Sequence, residues 1–96
     1  MVEKTGVTDR ERVFEELQKE GYENLYVWSG PPGIYYNWHI HPFDEVRWIL
    51  EGEITIGTRE EVFHLKPGDK LRVPAGTEHW AEVGDKGVTY VCGTKR

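Results

Sequence analysis

The segment from Gly33 to Gly52, GIYYNWHIHPFDEVRWILEG, contains the pattern around which the whole chain can be interpreted. It is rich in aromatic and β-branched residues, which favour β-strands. It also holds two of the four histidines, His39 and His41. Residues two apart on a strand share a face, so both imidazoles should point to the same side. Glu45 follows after a short turn and can bring a carboxylate to the same point, which predicts a polar site at the end of a strand.

A third histidine, His79, opens a later strand after the loop PAGTE. Three neutral imidazoles and one carboxylate suit a divalent first-row metal ion, and the set leaves Fe, Mn, Ni, Zn and Cu open. The alternative is a polar cluster at a strand end, in which hydrogen bonds satisfy each side chain. We expect a metal site with the ligands His39, His41, Glu45 and His79.

The chain after Leu25 has the pattern of short strands between turns. The β-type segments, which alternate with Gly- and Pro-containing turns, are LYVWS, IYYNWHI, EVRWIL, EITIG, EVFHL, KLRVP, HWAEV and VTYVC. The run KPGD predicts a type II turn with Pro67 and Gly68 at its centre. Gly52 should take a positive φ at a hairpin turn. Short strands at this spacing predict a β-sandwich or a small barrel.

One helix is predicted, over about residues 8–20. Thr8 and Glu11 have the spacing of a capping box, and Gly21 stands where a helix-ending glycine is expected. The apolar stripe that should pack against the rest of the protein consists of Val13, Phe14 and Leu17. We therefore predict an N-terminal segment, residues 1–24, whose helix packs on a single β-barrel domain, residues 25–96.

The composition limits the possible partners. The 96 residues carry a net charge of −5 with scattered Lys and Arg, which argues against a nucleic acid partner. No apolar run approaches the roughly 20 residues of a membrane helix, so no membrane partner is expected. The single cysteine, Cys92, excludes an intrachain disulfide and fits a reducing, cytoplasmic location. We expect Cys92 to be a small buried side chain and His64 to lie on the surface of its strand.

The spacing of these residues resembles the two motifs of the cupins, small β-barrels with a metal site. The first motif, G-x5-HxH-x3-E-x6-G, is matched at every fixed position between Gly33 and Gly52. The matching positions of the second motif, G-x5-P-x-G-x2-H-x3-N, are Gly68, Pro74, Gly76 and His79. Val83 replaces its final asparagine, which is not a metal ligand in the family.

The resemblance covers about residues 25–92 and implies an all-β fold. This fold is the cupin-type double-stranded β-helix, or jelly-roll barrel, here with one N-terminal α-helix. The resemblance also implies that one metal ion is held by the ligands His39, His41, Glu45 and His79.

A narrower resemblance concerns the run HIHPFDEVRWILEG, which is similar to acireductone dioxygenases, metal-dependent cupins that cleave an enediol. This resemblance places Arg47 beside a bound substrate. A cation next to a metal ion would favour an anionic, oxygen-rich ligand. The alternative is that Arg47 pairs with a carboxylate such as Asp44 or Glu53.

Two functions from different classes remain open. The first is a non-heme metalloenzyme that acts on a small enol, dicarbonyl or carboxylate compound, either as a dioxygenase or as an isomerase with Glu45 as the base. The second is a non-catalytic module that binds or senses a small ligand. In either case we expect Tyr35, which has the strand parity of His39, to be the aromatic residue nearest the cavity.

Self-association is also predicted. An apolar face opposite the expected ligands is formed by Val46, Trp48 and Leu50. We expect this surface to exceed what one helix can cover, and we therefore predict a homodimer.

Overall fold

The structure of the chain is a computed structural model that describes residues 2–96. Within these residues there are seven strands and one helix: the eight β-type segments form the last six strands, and the first strand and the helix precede them. The elements in chain order are β1 Val2–Lys4, α1 Arg10–Lys19, β2 Glu23–Gly30, β3 Tyr35–His39, β4 Asp44–Gly57, β5 Val62–Leu65, β6 Asp69–Val73 and β7 His79–Lys95. The helix of residues 10–19 is too short and too polar to cross a membrane.

Two long antiparallel strands, β4 and β7, connect the two halves of the sheet. The first half of β4 pairs with β6 and with the last part of β7, and β1 and β2 extend this half at its edges. The second half of β4 pairs with β5 and with the first part of β7, which also pairs with β3. The apolar cluster between these halves includes Ile49, Leu71 and Val83. The predicted all-β barrel is confirmed.

Gly52 differs from the prediction. A hairpin turn was expected there, but β4 continues through this position, with shifts of its register to β7 on either side. The positive φ is confirmed at 72°. A Cβ at Gly52 would also collide with the carbonyl oxygen of Gly87 in the neighbouring strand. Glycine is therefore required here both by the backbone conformation and by the lack of space for a side chain. The position lies within one strand and not in a turn between two strands.

The predicted type II turn around Gly68 is confirmed. Gly68 has a φ of 90°, and the N–H of Asp69 donates to the carbonyl oxygen of Lys66 at 2.9 Å. Next to this turn, β1 adds to the edge of β6, with Val2 opposite Leu71. We had no expectation of this strand, because three residues are too few to show alternation.

The helix is close to its predicted bounds but has a different N-cap. Asp9, and not Thr8, is the N-cap, and its Oδ1 accepts a hydrogen bond from the N–H of Glu11 at 3.2 Å. The predicted capping box is therefore wrong. At the other end Gly21 has a φ of 90°, and the N–H groups of Gly21 and Tyr22 donate to carbonyls of the last turn. This is the expected glycine-terminated helix end.

The helix packs on the outer face of the barrel. Val13 and Leu17 are completely buried in a second apolar cluster, whose members from β4 are Val46, Trp48 and Leu50. Lys70 also stabilises the C-terminal end of the helix, because its Nζ donates to both carboxylate oxygens of the C-cap residue Glu20 at 2.6 and 2.7 Å. The apolar face on which the homodimer prediction relied is thus covered within the chain. The homodimer itself stays a prediction.

Candidate metal centre

Three of the four predicted ligands converge. His39 is the last residue of β3, and it lies opposite His79, the first residue of β7. His41 lies in the connection from β3 to β4. One ring nitrogen from each of the three lies within 4.8 Å of the others. The sequence pattern predicted this group, although His79 comes from a distant part of the chain.

A β-bulge sets the direction of His39. The β3–β7 register pairs Tyr36 with Ala81 and His39 with His79, and it shifts between these two pairs. The extra residue lets both Tyr36 and His39 face the inside of the barrel. Tyr35, the aromatic residue that we expected nearest the cavity, instead stacks on Trp80 and is 53% exposed. That prediction is wrong because it assumed unbroken alternation along β3.

Backbone carbonyls orient two of the imidazoles. The Nδ1 of His39 lies 2.8 Å from the carbonyl oxygen of Asn37, and the Nδ1 of His79 lies 2.9 Å from that of Thr77. A carbonyl oxygen can only accept, so each Nδ1 carries the proton and donates. The Nε2 of each ring is left with a free lone pair. This is the usual orientation of a metal-binding histidine.

His41 completes the set with a carboxylate partner. Its Nδ1 lies 3.2 Å from Oε2 of Glu45, while its Nε2 is buried without a hydrogen-bond partner. A buried polar nitrogen without a partner is rare and unfavourable, by about 1–3 kcal/mol. A metal ion bound by the three Nε2 atoms would satisfy it. The donor set therefore fits a transition metal ion.

Burial keeps two of the imidazoles neutral. Burial lowers the pKa of His41, although the adjacent Glu45 carboxylate opposes the shift. Burial also lowers the pKa of His79, although its hydrogen bond to the Thr77 carbonyl opposes the shift. A metal ion binds the neutral imidazole and competes with the proton for it. Both shifts therefore favour metal binding near neutral pH.

Glu45 occupies a different place from the three histidines. It lies outside the group of converging ligand atoms, and its Oε1 accepts a hydrogen bond from Nη2 of Arg47 at 2.6 Å. Its other oxygen contacts His41. Arg47 thus pairs with Glu45 and not with Asp44 or Glu53, the two acids considered from the sequence. That Glu45 is a metal ligand stays a prediction.

Three polar side chains, Arg47, Cys92 and Tyr26, form a row across neighbouring strands beside Glu45. In the strand register Cys92 lies opposite Arg47 on one side and opposite Tyr26 on the other. Cys92 is buried, as predicted, whereas Tyr26 is 55% exposed at the edge strand β2. Tyr26 was not predictable as a member of this group, because its position depends on two strand pairings that no local pattern reports.

This row combines one cation with neutral donors. The Cys92 thiol beside the Tyr26 hydroxyl is the main cause that raises the pKa of Tyr26 to about 12. Burial raises the pKa of Cys92. Burial lowers the pKa of Arg47. The neighbouring Tyr90, Glu45 and Cys92 together outweigh burial, so the pKa of Arg47 is raised overall. At neutral pH the guanidinium is therefore charged, and the phenol and thiol keep their protons.

The remaining histidine lies away from this centre. His64, on β5, is exposed, and its Nδ1 lies 3.0 Å from Oγ1 of Thr55. Its predicted position on the surface is confirmed.

Residues 26–92 match the family model of the cupin domain. The chain belongs to the cupin family. The confirmed barrel and the converging histidines agree with this assignment.

Among curated proteins this cupin is similar to acireductone dioxygenases. It is 48% identical over 48 residues to that of Rhodopseudomonas palustris, a match covering 45% of this chain and 28% of the relative. It is 37% identical over 83 residues to acireductone dioxygenase 1 of Pectobacterium atrosepticum, covering 71% of this chain and 47% of the relative. The matched region spans less than half of these curated relatives.

Solved structures confirm the cupin-type fold. DMSP lyase DddQ from Ruegeria pomeroyi superposes with a TM-score of 0.70 and 30% identity, covering 75% of this chain and 37% of that one. A DUF861 family protein from Thermotoga maritima superposes with a TM-score of 0.69 and 20% identity, covering 98% of this chain and 97% of that one. The second likeness concerns the fold alone. A conserved protein with a double-stranded β-helix domain from Klebsiella pneumoniae superposes with a TM-score of 0.64 and 27% identity, covering 74% of this chain and 64% of that one. The double-stranded β-helix predicted from the cupin motifs is therefore confirmed.

Proposed function

We propose that this cupin binds one divalent first-row transition metal ion through His39, His41 and His79, with Glu45 as the carboxylate of the site. The observation that carries the proposal is the buried Nε2 of His41, which has no hydrogen-bond partner although two further imidazoles lie within reach. Three oriented Nε2 atoms form a ligand set for such a metal ion. The identity of the metal, among Fe, Mn, Ni, Zn and Cu, is left to the experiment.

The proposed reaction is dioxygenase-like chemistry on a small, oxygen-rich compound with an enol, dicarbonyl or carboxylate group. The bound ion would supply a Lewis acid that polarises a substrate oxygen or activates dioxygen. Support comes from the acireductone dioxygenase relatives, to which this chain is 48% identical over 48 residues and 37% identical over 83 residues. Isomerisation, with Glu45 as the base that moves a proton, is a second version of the same proposal.

Arg47 is proposed to bind the anionic part of the substrate. Its side chain is 16% exposed and already donates to the Glu45 carboxylate. A buried guanidinium attracts an oxyanion more strongly than an exposed one, because little water screens its charge. Protonated Cys92 and Tyr26 beside it add no negative charge that would repel such a ligand.

The experiment is an oxygen-uptake assay of the metal-loaded protein with enediol and 1,3-dicarbonyl compounds. We expect Arg47→Gln to raise KM about 10- to 100-fold, as the loss of a charged hydrogen bond of about 1.5–3 kcal/mol predicts. Arg12→Gln, at an exposed helix position, is the matched control and should leave KM unchanged. A wild-type KM for Arg47→Gln would show that Arg47 does not bind the substrate.

A non-catalytic cupin that binds a small ligand is the second candidate. One observation favours it: both oxygens of Glu45, the proposed base, already contact Arg47 and His41, which leaves neither oxygen without a partner to take a proton from a substrate. Metal-dependent binding of an enolic compound without turnover, under each of the candidate metals, would support this candidate against the enzyme.

We further propose a homodimer, a cytoplasmic location and the division into residues 1–24 and 25–96. Exposed apolar side chains away from the helix, Tyr35 and Val62, support self-association. The single free cysteine, which is buried, supports a reducing compartment. Light scattering that finds only a monomer at micromolar concentration would contradict the homodimer.

A further inference from the structure

Arg59 contacts the two residues that directly precede two of the proposed metal ligands. It lies in the turn between β4 and β5, and its Cζ is 3.9 Å from the ring centroid of Trp38. Its Nη2 donates to Oε2 of Glu78 at 3.2 Å. Trp38 is followed by His39, and Glu78 is followed by His79. One guanidinium therefore joins the two segments that carry these histidines.

The contact with Trp38 falls on the β-bulge that directs His39. Within the bulge, Oδ1 of Asn37 accepts a hydrogen bond from the N–H of Trp38 at 2.8 Å. The carbonyl oxygen of Asn37 accepts one from Nδ1 of His39, also at 2.8 Å. The orientation of the His39 ring thus depends on where the backbone of residues 37 and 38 lies. The guanidinium that stacks on the Trp38 ring restrains that backbone.

The contact with Glu78 falls on the loop that orients His79. Nδ1 of His79 bonds the carbonyl oxygen of Thr77, whose own N–H donates to the carbonyl oxygen of Pro74 at 3.2 Å. The same loop reaches His41, because the N–H of Gly76 donates to the His41 carbonyl oxygen at 2.9 Å. A displacement of this loop would therefore move two of the three imidazoles.

The turn that carries Arg59 is closed by hydrogen bonds of Thr58. The N–H of Thr58 donates to the carbonyl oxygen of Glu61 at 2.7 Å. Oγ1 of Thr58 accepts from the N–H groups of Glu61 and Glu60, at 3.1 and 3.3 Å. Since the base of the side chain is fixed, less conformational entropy is lost when the guanidinium makes its two contacts.

We propose that Arg59 is a positioning residue of the metal centre, which holds the segments of His39 and His79 so that their rings lie 4.1 Å apart between centroids. The inference rests on the proposed metal site and deepens it. The ion pair is exposed, with side chains 62% and 50% accessible, so its contribution is modest. With the stacking included, we expect Arg59→Ala to weaken metal binding about fivefold to tenfold.

The test is a Co²⁺ titration of the full metal-free chain, followed by the visible absorption of the bound ion. Four proteins are compared: wild type, Arg59→Ala, Arg59→Lys and the control Arg12→Ala. We expect Arg59→Ala to bind more weakly and to show a shifted spectrum at saturation, because the histidines are held differently. Arg59→Lys should be intermediate, since an ammonium can pair with Glu78 but lacks the planar group that stacks on Trp38. Arg12→Ala should match wild type.

Three other results of the titration would overturn the inference. Arg59→Ala with wild-type affinity and spectrum would show that the contacts do not position the ligands. Weaker binding with an unchanged spectrum at saturation would mean that Arg59 only adds stability. A wild-type chain that binds no Co²⁺ would overturn the metal site together with this role of Arg59, whereas failure of Arg59 alone leaves the metal site intact. Should Arg59→Ala fail to fold, Glu78→Gln tests the same ion pair: weaker Co²⁺ binding with a shifted spectrum would support the inference, and wild-type affinity and spectrum would overturn it.

Discussion

Removal of His79 should abolish half or more of the stabilisation that a metal ion confers on the folded protein. A ligand that binds only the native state at 100 times its Kd stabilises it by about 2.7 kcal/mol. For a chain of 96 residues, each kcal/mol corresponds to roughly 4–8 °C in Tm. We therefore expect the wild-type Tm to rise by roughly 10–20 °C at a saturating concentration of the preferred metal.

His79→Ala takes away one of the three converging imidazoles. Loss of even an outer partner of a ligand weakens metal binding about 10- to 100-fold, so loss of a ligand should weaken it at least as much. At the same metal concentration the stabilisation would then fall to about 0.4–1.4 kcal/mol. In the metal-free protein the substitution should also lower stability by about 1–3 kcal/mol, because the Thr77 carbonyl loses its donor.

The assay is thermal unfolding followed by circular dichroism, with a chelator and then with each candidate metal. The matched control is His64→Ala, because His64 is exposed and lies outside the converging group. It should keep the full metal-dependent shift. The reasoning would be refuted if His79→Ala retained the wild-type shift, or if none of the metals moved the wild-type Tm.

Two predictions concern the fold. Leu17→Ala should lower the free energy of unfolding by about 3 kcal/mol, because Leu17 is fully buried between helix and sheet; a loss below about 1 kcal/mol in urea denaturation would contradict this packing. Gly52→Ala should cost about 2–4 kcal/mol, from its positive φ and from the collision with the Gly87 carbonyl. Gly33→Ala, with a similar φ but open space, should cost only about 1–2 kcal/mol, and equal losses would remove the collision as a cause.

Features that depend on neighbours in the chain were predictable. The turn at Gly68, the helix end at Gly21 and the strand-type alternation each follow from the conformations that a few consecutive residues can adopt. The spacing of His39 and His41 with Glu45, matched to a second motif, also identified the group of histidines before their distances were known.

Features that depend on contacts between distant segments were not predictable from local patterns. Tyr35 faces outward because a bulge in its pairing with β7 interrupts the alternation of β3. Gly52 is confined by Gly87 across the sheet and does not form a turn. Tyr26 lies in one row with Cys92 and Arg47 only because β7 pairs with both β2 and β4.

The sequence by itself therefore determined the fold family and the three imidazoles, because motif spacing and strand alternation are properties of residue order along the chain. The tertiary structure decided which atoms of these residues are free and what holds them in place. The convergence of His79 with His39 and His41, the row of Arg47, Cys92 and Tyr26, and the contacts of Arg59 each need segments far apart in the chain to meet. The physical reason is that hydrogen bonding and burial act through space, whereas a sequence pattern records only order along the chain.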